Sequence, residues 1–167
     1  MAEKDKIFST TTKYVGIFNL SNLYKFCYDW LSEETDLIVA EKKYTEKLKG
    51  TDKDVEIEWE GTRKVNDYFK RQVDVKFTIK GLKKVDVNKG GKTVSTNEGE
   101  VKMEVKGILV RDYDSKFEVS PFYKFLRATY DKWIIPSTVE ALKDKLAEDC
   151  VEFLEQTKAY LDLEGKK

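Results

Sequence analysis

The chain has 167 residues, of which 40% are hydrophobic and 37% charged, and its 31 basic and 31 acidic residues give a formal net charge of zero. This length fits one domain, and the composition argues against a disordered chain. Zero net charge argues against a dedicated nucleic-acid-binding protein, which needs surplus cations to displace counterions from phosphates. We therefore predict a single domain over residues 1–167, with frayed ends at 1–6 and 165–167.

The chain contains no histidine and only two cysteines, Cys27 and Cys150. The missing histidine removes the commonest general base and the commonest metal ligand. The N-terminus carries no apolar stretch of the kind that forms a signal peptide, and no apolar run reaches membrane-spanning length. We predict a cytoplasmic protein with free thiols, no metal site, no cofactor and no catalytic residue.

The first two elements are a strand and a short helix. Residues Ile7 to Phe18 are rich in Thr, Tyr, Phe, Val and Ile, which favours a strand. Asn19 or Ser21 can cap the helix that follows, which Ser32 to Asp36 ends. One face of this helix is apolar, because its hydrophobic residues recur at helical spacing: Leu20, Leu23, Cys27, Trp30 and Leu31.

The middle of the chain predicts successive strands joined by short turns. After a first run from Leu37 to Leu48, apolar residues alternate with polar ones, which places one set inward and the other outward. The predicted inward residues are Val55, Ile57, Trp59, Val73, Val75, Phe77, Ile79, Val101, Met103 and Val105. The turn Asn88–Gly91 predicts a hairpin, and the broken alternation at Gly107 predicts a bulge there.

The end of the chain is helical. Ser120-Pro121 predicts a helix start, and an aromatic segment over 121–135 follows. Pro136 breaks or kinks the helix, and the capping box Ser137–Glu140 restarts it. The second piece carries an apolar stripe and ends at Gly165. Its stripe residues are Val139, Leu142, Leu146, Cys150, Phe153 and Leu161.

These elements predict an α+β fold: a curved antiparallel meander, a short helix after the first strand, and a long, Pro-kinked C-terminal helix packed on the sheet. From Ile7 to Leu163 this order and these lengths resemble the helix-grip organisation of the START and polyketide-cyclase superfamily. That resemblance implies a sheet that grips the terminal helix, with a ligand cavity between them. Two features differ: one helix follows the first strand where the superfamily usually has two, and the terminal helix is split at Pro136. A plain α+β roll fits the same order of elements.

The inward residues are candidates for a binding site. Bulky aromatic side chains and a methionine on one sheet face can line an apolar pocket, or they can form a solid core. Periodicity does not separate these alternatives. The predicted ligand-binding residues are Tyr44, Trp59, Phe77, Met103 and Trp133.

The aromatic segment is a second candidate, because Lys124, Arg127 and Lys132 lie among its aromatic residues. Aromatic anchors with basic neighbours suit an anionic membrane surface or a protein partner. Aromatic stripes at helical spacing are more often core, so core packing is the preferred interpretation. The residues that would make the contact are Phe122, Phe125, Tyr130 and Trp133.

Two functional hypotheses follow from these features. The first is a non-catalytic binding protein that holds an apolar small molecule or lipid between the sheet and the C-terminal helix. The alternative is a structural, assembly or membrane-surface module that uses its exposed strands or the aromatic helix 121–135. Catalysis by the acidic residues of the middle strands is disfavoured, because alternating acids on an outward face are normally solvated and nothing predicts their desolvation.

Overall fold

A computed structural model describes residues 3–65, 68–111, 125 and 136–166 of the chain. Within these ranges it contains five strands and two long helices. In chain order they are β1 (Glu3–Phe18), α1 (Leu20–Glu34), β2 (Ile38–Lys49), β3 (Asp52–Lys64), β4 (Phe69–Lys89), β5 (Lys92–Arg111) and α2 (Pro136–Lys166). The predicted α+β class, with a helix after the first strand and a long helix at the end, is confirmed.

The strands form one antiparallel sheet in the order β1-β5-β4-β3-β2. Strands β2 to β5 are a meander, as predicted, and β1 pairs with β5 at the far edge. Strand β1 begins earlier than predicted, at Glu3, which pairs with Arg111. Residues 3–6 therefore belong to the sheet, and the fraying predicted for them is wrong.

The predicted alternation divides the sheet into two faces. The inner face, which α1 and α2 cover, carries the buried residues of β3, β4 and β5. The outer face carries the charged residues between them, and Lys76 Nζ lies 3.3 Å from Glu56 and 3.9 Å from Glu58. Buried inner-face residues include Val55, Ile57, Trp59, Val73, Val75, Phe77, Ile79, Val101, Met103 and Val105.

The bulge predicted in β5 at Gly107 is wrong, because the register shift lies in β1 between Lys6 and Phe8. Strand β5 stays in register with β4 through Gly107, and Leu109 continues its inner face. The pattern looks broken in the sequence because an inner-face position holds a glycine. A Cβ atom at Gly107 would lie 3.0 Å from Cys150 Sγ, so α2 packs where a side chain would stand.

Two other irregularities shape the long strands. Gly81, with φ +62°, lies at a register shift in β4, which otherwise continues to the predicted hairpin turn at Gly90-Gly91. A shift between Glu41 and Lys43 in β2 places Lys42 beside the outer-face residue Glu58.

Both helices pack through apolar stripes. Asn19 caps α1 by accepting a 3.0 Å hydrogen bond from Asn22 N, and α1 buries Leu23, Cys27 and Leu31. Helix α2 begins at Pro136, so the predicted kink before this residue lies outside the described residues. It continues through Gly165 to Lys166, beyond the predicted end. Its stripe is confirmed by the burial of Val139, Leu146, Cys150, Phe153 and Leu161.

Helix α2 contacts β1 and β5, and α1 contacts α2 and β2. In the part of the chain that the structure describes, neither helix contains a stretch long and apolar enough to cross a membrane.

Candidate functional site

A cleft of about 270 Å³ opens between the inner face of the sheet and the C-terminal half of α2. Strands β1, β4 and β5 form one wall, α2 forms the other, and α1 contributes one residue. We call it the sheet–α2 cleft. Its lining residues are Thr12, Lys13, Tyr14, Leu23, Phe77, Val101, Met103, Thr157, Lys158, Leu161 and Asp162.

The floor of the cleft is apolar because the strand alternation points apolar side chains inward. Phe77 and Met103 lie directly opposite each other on β4 and β5, and Val101 is the next inward residue on β5. Phe77 and Met103 are each only 3% exposed. The floor is therefore a narrow apolar strip rather than an open chamber.

The rim of the cleft is polar and carries both signs of charge. Lys13 lies 3.2 Å from Glu100, and Lys158 and Asp162 are exposed on α2. Thr157 is buried at the bottom, where its hydroxyl donates a 2.8 Å hydrogen bond to the Phe153 carbonyl. A molecule with an apolar portion and a polar end matches this distribution.

The thiol beneath the cleft, that of Cys27, is buried. Cys27 Sγ lies 3.7 Å from Thr157 Oγ1. Burial raises the pKa of the Cys27 thiol to about 12, so it stays protonated near neutral pH. Because the thiolate is the nucleophilic form of cysteine, this shift disfavours Cys27 as a nucleophile.

The size of the cleft limits its occupant. The cleft has a volume of about 270 Å³. Ligand pockets for drug-sized molecules usually measure about 300–1,000 Å³. The cleft therefore fits a small ligand or one end of a larger one.

Of the five residues predicted to bind a ligand, the structure brings Phe77 and Met103 together in the sheet–α2 cleft. Trp59 lies under α1 instead, where its ring centroid is 4.9 Å from Tyr24 and 5.0 Å from Phe77. It is 2% exposed, so it belongs to the solid core. The indole Nε1 makes no hydrogen bond within the described part of the chain.

Tyr44 lies apart from the cleft on the edge strand β2, where its side chain is 46% exposed. Its hydroxyl donates a 2.8 Å hydrogen bond to Glu46. Partial burial, followed by this hydrogen bond, raises the pKa of Tyr44 to about 12. Trp133, the fifth predicted residue, lies outside the described residues.

Sequence reasoning missed the walls of the cleft. Thr12 and Tyr14 alternate with exposed neighbours on β1, so the period-two rule could have placed them on the inner face. Thr157 lies four residues after Phe153 and four before Leu161, at the spacing of the apolar stripe. Because Thr157 is polar, it does not stand out in a pattern that is defined by hydrophobic residues.

A polar cluster fixes the other half of α2 to the sheet. Arg71 Nη1 on β4 lies 3.3 Å from Asp149 Oδ2 on α2, and Lys145 Nζ lies 2.9 Å from Asp149 Oδ1. Arg71 Nη2 also donates a 3.4 Å hydrogen bond to the Thr35 carbonyl, just after α1. We call these four residues the Arg71–Asp149 clamp; it joins the start of β4, the middle of α2 and the residue after α1.

A shallow groove of about 280 Å³ runs over the outer face, lined mainly by charged residues of both signs. Burial raises the pKa of Asp74, and the Gln72 amide, 3.0 Å away, opposes the shift. The neighbouring carboxylate of Glu60 raises it further. The described residues hold no group of three or more Cys, Asp or Glu side chains arranged to bind a metal ion.

Comparison with known proteins gives no match: no family model fits the chain, and no curated protein or solved structure resembles it significantly.

Proposed function

We propose that this is a non-catalytic binding protein that holds an apolar small molecule, or the apolar end of a lipid, between the sheet and the C-terminal helix. The observation that carries this proposal is the sheet–α2 cleft, with its apolar floor at Phe77 and Met103 and its charged rim. The helix-grip resemblance, which implies a ligand between the sheet and the terminal helix, agrees with this placement.

The ligand we infer is amphipathic. Its apolar part covers the strip formed by Phe77, Val101 and Met103, at about 25 cal/mol per Å² of apolar surface removed from water. Its polar end meets Lys13, Lys158 and Asp162 at the rim. Because the floor is narrow, the expected affinity is modest. A long acyl chain enters only if the last turns of α2 move away from the sheet.

The side chains around the cleft support a binding role rather than catalysis. The chain has no histidine, and the nearby thiol of Cys27 is held protonated by burial. The carboxylate at the cleft, Asp162, is exposed to solvent on α2, whereas a catalytic acid is usually desolvated.

A filled-cleft variant tests the proposal. Thr12→Phe places an aromatic ring in the cleft from β1, whereas Thr78→Phe makes the same change on the outer face of β4 and serves as the matched control. We expect the wild type and Thr78→Phe to bind a fluorescent fatty-acid probe, and Thr12→Phe to lose most of this binding.

Native mass spectrometry of the freshly purified protein provides the second measurement, with a bound small molecule as the expected result. Unchanged probe binding by Thr12→Phe would contradict the assignment of the cleft. A wild type that carries no ligand and binds no probe would contradict the binding function itself.

A second candidate function uses the aromatic segment 121–135 at a membrane surface or in an assembly. One observation favours it: Phe125, the described residue of this segment, is helical and 66% exposed. The Phe125 side chain is therefore not packed in the core, although core packing is the preferred interpretation of the aromatic stripe. Flotation with anionic vesicles tests the membrane form, and we expect Phe125→Ser to weaken any binding. Absence of binding by the wild type would rule it out.

A further inference from the structure

The two edge strands of the sheet differ in how they discourage pairing with another strand. Strand β2 carries four lysines in twelve residues and a register shift at its middle. Lysines and bulges are the usual means by which natural proteins protect an exposed edge. The edge of β2 is therefore built to remain unpaired.

Strand β1 lacks this protection along its centre. From Phe8 to Thr12 it carries no charge, and it stays in regular register with β5 from Phe8 to Phe18. Its single shift lies before this segment, at Ile7. Ser9 and Thr11 are exposed, and three consecutive threonines suit an extended strand. Within the described part of the chain, β5 is its one neighbour in the sheet.

We propose that the edge of β1 from Ser9 to Lys13 binds β1 of a second copy of this chain. The two strands would run antiparallel about a two-fold axis at Thr11, which joins the two sheets into one. Alternate residues of a strand direct their backbone N–H and C=O groups to the same side, so about half of these groups in the segment point away from β5. A second strand would satisfy them.

This register is self-complementary. Thr11 meets Thr11 of the second copy, Thr10 meets Thr12, and Ser9 meets Lys13, so no like charges lie opposite one another. Threonine pairs across two strands are among the favourable combinations. An axis at Lys13 would oppose two lysines, and an axis at Ser9 would bring the shift at Ile7 into the paired segment.

A second copy fits this edge better than a charged partner does. The chain has zero net charge, so two copies do not repel each other at long range. The edge itself offers hydroxyl groups and one lysine, which match a strand of the same composition. The edge shares Thr12 and Lys13 with the wall and rim of the sheet–α2 cleft. This inference does not depend on the proposed ligand, because the pairing is carried by the backbone groups of the edge.

Sedimentation equilibrium from micromolar to near-millimolar concentration tests the proposal. We expect the wild type to form a dimer. Thr11→Lys should raise the dimer dissociation constant about tenfold or more, because two lysines then meet at the axis. Thr45→Lys, the same change on the exposed strand β2, is the matched control and should leave the dimer unchanged.

A charge swap tests the register. Ser9→Lys places a lysine opposite Lys13 of the second copy and should weaken the dimer, and adding Lys13→Glu should restore it. Far-ultraviolet circular dichroism and thermal melting identify any variant that fails to fold. A wild type that stays monomeric throughout the range overturns the proposal. So does a dimer that Thr11→Lys and Ser9→Lys leave intact, which would place its interface on another surface.

Discussion

The two halves of α2 rest on the same sheet but pack against it differently. In the N-terminal half, Cys150 lies against Gly107, and the Arg71–Asp149 clamp ties the helix to β4. In the C-terminal half, Thr157 and Leu161 border the sheet–α2 cleft. One helix therefore has an anchored half and a half that leaves space beside the sheet.

The difference comes from the residues beneath the helix. At Gly107 the sheet offers no side chain, so the helix approaches until Cys150 fills the position. Under the other half, Phe77 and Met103 project from adjacent strands and form part of the floor of the cleft that Thr157 and Leu161 border. The close packing of the helix therefore coincides with a glycine in the sheet, and the cleft lies over large side chains.

The largest expected effect comes from removing the clamp. Asp149→Ala leaves the Arg71 cation, 14% exposed, without its carboxylate. Removing one partner of a buried ion pair costs about 3–5 kcal/mol, and the residual exposure of this pair favours the lower end, about 3 kcal/mol. Urea denaturation measures the loss of unfolding free energy.

Asp162→Ala is the matched control for this prediction, since Asp162 is exposed on the same helix. We expect it to change the free energy of unfolding by less than about 0.5 kcal/mol. If Asp149→Ala and Asp162→Ala lost equal unfolding free energy, charged side chains would stabilise the anchored half of α2 no more than the half that borders the cleft. An Arg71→Met and Asp149→Leu double variant should recover most of the stability, because an apolar pair replaces a buried ion pair.

The next effect comes from Gly107→Ala. The added Cβ would lie 3.0 Å from Cys150 Sγ and 3.4 Å from Leu146 Cγ, so the helix must shift outward. Such overpacking costs about 1–3 kcal/mol, measured again as unfolding free energy. Adding Cys150→Ala frees the space. The double variant should therefore lose less unfolding free energy than the sum of the losses of the two single variants. Strict additivity would contradict direct contact between these positions.

Much of this arrangement could be predicted from the sequence, because period-two alternation and helical spacing are local signals. They identified the inner face, the α2 stripe and the hairpin turn at Gly90-Gly91. The close packing at Gly107 could not be predicted, since a missing side chain leaves no trace in a hydrophobic pattern. The break in alternation at Gly107 predicts a bulge instead.

The cleft was predicted only in part for a related reason. Phe77 and Met103 follow from strand alternation, whereas the contribution of Thr12 depends on β1 lying next to β5. That pairing joins strands about ninety residues apart in the sequence, and no local signal reports it. Tyr44 lies outside the cleft and is exposed because its strand forms the edge of the sheet, where an inward position in the alternation does not ensure burial.

Alkaline pH should destabilise the protein through its two thiols, one in each half of the α2 interface. Burial raises the pKa of Cys27 and of Cys150 from about 9 to about 12. The unfolded chain therefore loses thiol protons above pH 9 while the native protein keeps them. The stabilisation is complete below about pH 9 and is lost as the pH rises toward 12.

Between pH 8.5 and pH 10 each thiol should lower the free energy of unfolding by about 1 kcal/mol. The variants Cys27→Ala and Cys150→Ala isolate the two contributions, because each removes one titrating group. Equal contributions would mean that both halves of α2 cover their thiol equally well. If Cys27→Ala left the pH dependence unchanged, the Cys27 thiol would ionise as readily in the native protein as in the unfolded chain. Water would then reach Cys27 through the cleft.

The smallest expected effect is that of Thr157→Val, at the bottom of the cleft. The Phe153 carbonyl that accepts from the Thr157 hydroxyl also has its helical backbone partner, so no buried group is orphaned when the hydroxyl becomes a methyl. We expect a change of less than about 0.5 kcal/mol in the free energy of unfolding.

Cys150→Val, which introduces a β-branched side chain in the anchored half of α2, is the comparison. It should cost about 1–3 kcal/mol of unfolding free energy, because the larger group presses on the backbone at Gly107. Comparable losses at both positions would mean that α2 packs equally tightly along its length, and the space beside Thr157 would then be too rigid to admit a ligand.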